Sequence, residues 1–146
     1  MPASIKQLSL VAQLEKEKEQ KLSEQYQQAR QHLFQNQQKL SSLEQYRLDY
    51  LKLIREKASQ GLGAKTLIQH QSFVGKLDKA CEQQVQVINQ AVLVADQRKN
   101  QWLKQQTKAK AIEKLINKQQ QNLRLQQNRQ EQKLFDELSS LAFSKR

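Results

Sequence analysis

The chain has 146 residues, enough for one domain, and carries 25 Lys and Arg against 14 Asp and Glu, a net charge of +11. Hydrophobic residues make up 37% and aromatics 5%, glutamine alone supplies 29 positions, and there are three glycines and one proline. This composition lacks the turn residues of a β sandwich or an α/β domain and the apolar mass of a compact core, which leaves an elongated helical protein or a disordered one.

From Ser4 to about Ser59 nothing breaks a helix. Ser4 suits an N-cap, and the run is rich in Gln, Lys, Glu and Leu, all good helix formers. Its apolar start, Leu8 to Leu14, is interrupted by Ser9 and Gln13 and runs into charges, so it reads as neither a signal peptide nor a membrane span. One cysteine, Cys81, excludes a disulfide framework, and the expected compartment is the cytosol. Further along, Tyr26, Leu33, Leu40 and Ile54 stand at multiples of seven, with Arg47 the polar exception and Leu51 and Ala58 in a second lane. Gly61-Leu62-Gly63 then punctuates the chain, and Gly75 predicts a second irregularity, so that Ala64–Ser72 would form their own turn of helix inside a connection over about 60–75.

In the next helix, about 76–141, Cys81, Ile88, Ala95, Trp102, Ala109, Ile116 and Leu123 recur every seven residues, with Val85 and Val92 at a four-residue offset. Apolar spacing of seven sustained this long marks a left-handed coiled coil, and disorder does not place residues this way. With one strong break, the expected fold is all-α: an antiparallel coiled-coil hairpin forming a single elongated domain over residues 1–146, with helices about 4–59 and 76–141. The end holding the termini is expected to be loosely zipped. Residues 15–21 read EKEKEQK, and the offset lane beyond Val92 turns polar. The last turns, with Leu134, Phe135, Leu138 and Leu141, should overhang.

Catalysis has little to work with. His32 and His70 are far apart, no Cys/His pair has metal-ligand or dyad spacing, and there is no phosphate-binding glycine loop. Neither an enzymatic activity, a metal nor a cofactor is expected. The positive excess is greatest over residues 101–146, ten basic against four acidic, and Lys104, Lys108, Lys110, Lys114 and Lys118 repeat at helical spacing. Such lysines serve as a solvated face or as a stripe for an acidic partner, with anionic lipid next and nucleic acid last, since no aromatics interleave to stack on bases.

The aromatic residues are more telling. At ~100° per residue, Tyr46, Tyr50 and Phe73 fall about a quarter-turn from the seam, with Leu43, Leu77, Ala80 and Gln84 beside them. A reversal at Gly61–Gly63 brings them level, on one side of the hairpin, as an exposed patch near the loop. Flank positions can also widen a core, but exposed aromatics are the usual anchors of interfaces.

The order and spacing of three segments, QYRLDY at 45–50, GLGAKTLIQHQSFVGKLDKA at 61–80 and EQKLFDEL at 131–138, resemble the flagellar export protein family FliJ. The resemblance covers essentially the whole chain. It implies a non-enzymatic, stalk-like component of the cytoplasmic type III export apparatus, working at the inner face of the membrane. The implied partners are the hexameric export ATPase, the cytoplasmic domain of the export-gate membrane protein, and export chaperones that the family escorts. The family's gate-contacting surface maps onto Leu43, Tyr46, Tyr50, Phe73, Leu77 and Ala80, while Lys39 and Gln84 depart from its pattern. Two readings compete: a holdase chaperone with helical tentacles, and a nucleic-acid or membrane-surface binder using Lys104–Lys118.

Overall fold

Helix formation needs capped ends and a buried stripe, and the sequence supplies both. In the computed structural model, which describes residues 4–144, two helices account for nearly all of the chain: α1, Ile5–Ser59, and α2, Ala64–Ser144. Ser4 and Gln7 cap α1 reciprocally. The Gln7 amide donates to Ser4 Oγ at 3.1 Å, and the Ser4 amide donates to Gln7 Oε1 at 3.2 Å. The helix ends where Gly61 takes φ +95°, a left-handed conformation that L side chains rarely adopt. The Gly63 carbonyl then accepts from the Leu67 amide and opens α2.

The expected irregularity at Gly75 is absent. Helix α2 begins at Ala64 and passes through Gly75 unbroken, so the connection shrinks from about 60–75 to residues 60–63. A lone glycine costs a helix about 1 kcal/mol relative to alanine. Val74 and Leu77 on either side of it are half-buried and buried, and that packing holds the turn in place.

The two helices pack antiparallel, and burial fixes their heptads. Position a of α1 runs every seventh residue from Ile5 to Ile54, and position d from Leu8 to Tyr50; in α2, a runs from Val74 to Ile116 and d from His70 to Gln119. Every residue on these four lanes is buried or half-buried. The second lane therefore lies three residues after the first, not four. Val85 and Val92, expected in the seam, are exposed by 42% and 37%, and Ala58 is exposed. Helix α1 decides the matter, because its three-residue lane carries Leu8, Leu22, Ala29, Leu43 and Tyr50, whereas the four-residue lane offers little beyond Leu51 and Ala58.

The chain divides into two compact units, one formed by residues 22–102 and the other by residues 1–21 with 103–146. In the first, Leu77, Gln84, Ala91 and Ala95 are buried, Tyr26 stacks on Trp102 at 5.7 Å, and Arg30 sits over the Tyr26 ring. Gln84 and Asn36 form a polar layer of the seam, Gln84 Nε2 donating to both the backbone and side-chain oxygens of Asn36 at 2.9 Å. Arg47, the polar exception, pairs with Asp78.

In the second unit Leu8, Glu15 and Ala109 are buried. The stretch EKEKEQK thus contributes a polar clasp instead of a bare gap. Gln105 donates to the Glu15 backbone oxygen at 2.9 Å and to its carboxylate, while Lys18 and Lys108 lie 3.4 and 3.5 Å from Glu15 Oε1. The overhang is present, since every described residue from Gln120 to Ser144 is exposed. Conversely, no residue from Leu51 to His70, around the loop, is fully buried.

Candidate functional site

Flank residues of a two-helix seam are half-covered at best, so an aromatic there is available to a partner. Tyr46 and Phe73 occupy such positions, one residue before an a position on each helix, and are exposed by 51% and 37%. Their rings meet edge-on, with centroids 6.4 Å apart, on one side of the residue 22–102 unit. Ala80, one heptad after Phe73, is half-buried on the same flank. The three other residues expected in the patch are seam residues. Leu43 and Tyr50 sit half-buried at d, and Leu77 is 8% exposed at d. The misplacement follows from the four-residue offset, which turns the apparent seam axis away from the true one. Gln84, expected alongside the patch, is likewise core and holds Asn36.

Tyr50 links core and surface. Its ring packs against Phe73 at 4.7 Å, and its hydroxyl hydrogen-bonds Nδ1 of His70. His70 therefore supports the aromatic cluster, a role that sequence reasoning missed. The available signal was its position seven residues before Leu77.

The opposite flank has different chemistry. Glu44, Asp78 and Glu82, with Arg47, Leu48 and Cys81, line an open groove of about 520 Å³. One side of this unit thus carries the aromatic pair, the other a groove with three carboxylates and Arg47.

In the other unit, Lys104, Lys108, Lys110, Lys114 and Lys118 are all exposed; Lys108 also lies 3.5 Å from Glu15 Oε1, and Glu113 pairs with Lys16 at 3.6 Å. On the observed heptad these lysines occupy positions b, c, f and g, so they cover roughly the outer half of α2 and not a narrow stripe. Glu15 has a displaced titration. The Gln105 hydrogen bond, followed by the Lys108 and Lys18 charges, outweighs desolvation and holds its carboxyl below the ordinary value of 4.5. Among the described residues no helix is long and apolar enough to cross a membrane.

The family model described as Flagellar FliJ protein matches residues 4–146. The chain belongs to the FliJ family. Membership makes it a structural component of flagellar protein export, in keeping with the two packed helices. No curated protein and no solved structure matches it. The FliJ resemblance read from QYRLDY, the Gly-Leu loop and EQKLFDEL is therefore the correct family assignment.

Proposed function

We propose that this FliJ-family chain is a non-enzymatic coupling stalk that binds the cytoplasmic domain of the export gate through the Tyr46–Phe73 flank and the hexameric export ATPase through its terminal unit. The observation that supports the reading best is the exposed, edge-on contact of Tyr46 with Phe73, in a chain whose aromatics make up only 5%. Leu43, Tyr50, Leu77 and Ala80 take part as the bed that holds these two rings in place. The second unit suits a different task. Its lysines offer many weak, water-compatible contacts, as a stalk needs inside a narrow bore, and its exposed α2 segment, with Leu134, Phe135, Leu138 and Leu141, suits escorted chaperones. The site of action is the cytoplasmic face of the inner membrane, reached through the gate.

The test is co-precipitation of the purified gate domain and of the purified export ATPase with the wild-type chain and with Tyr46→Ala/Phe73→Ala. The variant should lose the gate domain and keep the ATPase. Retention of the gate domain by the variant would overturn the assignment, and loss of both partners would point to damage of the fold.

A further inference from the structure

Residues 83–95, QQVQVINQAVLVA, contain no charged side chain, although 27% of the whole chain is charged. A helix that is apolar on more than its seam face is normally covered on those other faces too. Here Ile88, Ala91 and Ala95 face the seam, while Val87 and Val94 are exposed by 40% and 44%. Both lie on the flank of Phe73 and Ala80, and the four residues 73, 80, 87 and 94 recur at intervals of seven along one line of α2. The line spans roughly 30 Å at ~1.5 Å per residue. Its outer rim on α2 is Lys76, Gln83, Gln90 and Gln97, uncharged beyond Lys76, whereas the opposite flank carries Glu44, Asp78 and Glu82.

We infer that the docking surface does not end at the aromatic pair but continues along this line through Val87 and Val94, and that one protein partner covers its whole length with an apolar, uncharged ridge. The occupant is the partner that takes Tyr46 and Phe73, so this inference rests on the reading above. Two observations favour it over a separate ligand. The first is continuity, since no charged residue of α2 interrupts the line between Phe73 and Val94. The second is size. A specific protein interface covers about 800 Å² on each partner, more than two aromatic rings and an alanine provide, and the valine line supplies the missing apolar length. A lipid surface or a polyanion would instead select the lysine-rich unit.

The valines allow an internally controlled test. Val85 and Val92 have the same chemistry and similar exposure on the same helix, but they lie on the other flank. The full-length chain carrying Val87→Gln/Val94→Gln, and the chain carrying Val85→Gln/Val92→Gln, would each be titrated with the purified gate domain by calorimetry. Thermal melts would be recorded alongside, and Val87→Ala/Val94→Ala would serve as a milder version that favours the helix. The first pair should weaken binding about tenfold, the alanine pair should do so by less, and the second pair should stay within about twofold, all with melts close to wild type. If Val87→Gln/Val94→Gln binds as the wild type does while Tyr46→Ala/Phe73→Ala does not bind, the extension is wrong and the aromatic site stands. If none of these variants alters binding, the aromatic site fails and the extension falls with it. Equal weakening by both valine pairs would overturn the choice of flank.

Discussion

Tyr46 and Tyr50 are one helical turn apart, and the packing gives them different tasks. Tyr46 is half in solvent and touches Phe73 edge-on, whereas Tyr50 occupies a seam position, packs on Phe73 and hydrogen-bonds His70. Truncation should separate the two roles. Tyr46→Ala should shift the unfolding free energy by about 0.5 kcal/mol or less, as surface changes usually do. Tyr50→Ala and Leu77→Ala remove seam contacts and should cost about 2 kcal/mol each, toward the low end for core truncations because the seam is thin. Urea melts of the three variants would check this ordering. The sequence made the aromatic cluster visible because aromatics are scarce. It did not reveal which members were core, since both three- and four-residue steps occur in every heptad, and Val85 and Val92 favoured the wrong one. Asn36 and Gln84 are polar, yet they pair with each other inside the seam.

At the scale of elements, the glycines show what local sequence can and cannot decide. Gly61 was legible as a break because its conformation requires a glycine, and Ser4 was legible as a cap because its partner lies three residues on. Gly75 looked the same in sequence, yet it lies inside α2, where a Cβ would meet nothing within 4 Å. Gly75→Ala should therefore stabilise the protein by about 0.5–1 kcal/mol, through helix propensity and a less flexible unfolded chain. Gly61→Ala should destabilise it, because the left-handed turn remains strained for any L side chain. Thermal denaturation of both variants reads the two signs directly.

The polar clasp of the other unit brings a pH dependence. Glu15 titrates below 4.5 when folded and near 4.5 when unfolded, so its contribution is fully present above 4.5 and is lost as the pH falls through the depressed folded value. Glu15→Gln should flatten the acid limb of a stability–pH curve. An unchanged limb would show that the clasp carries no such stabilisation. This contact was hidden in the sequence, where a charge-dense run reads as solvated. The buried carboxylate becomes visible only when Gln105 and Lys108 arrive from the other helix.

Across the whole molecule, the greatest positive excess and the aromatic flank fall in different units. Residues 101–146 hold ten basic residues against four acidic ones, while the longest uncharged stretch, 83–95, and the aromatic flank both belong to the unit formed by residues 22–102. A protein with two such unlike surfaces suits two unlike partners. The measurement that tests this most directly is a residue-resolved hydrogen-exchange footprint of the full chain, alone and saturated with the gate domain. Added protection is expected over residues 43–50 and 73–94, with residues 103–144 unchanged. Protection confined to residues 103–144, with none at Tyr46 or Phe73, would contradict it.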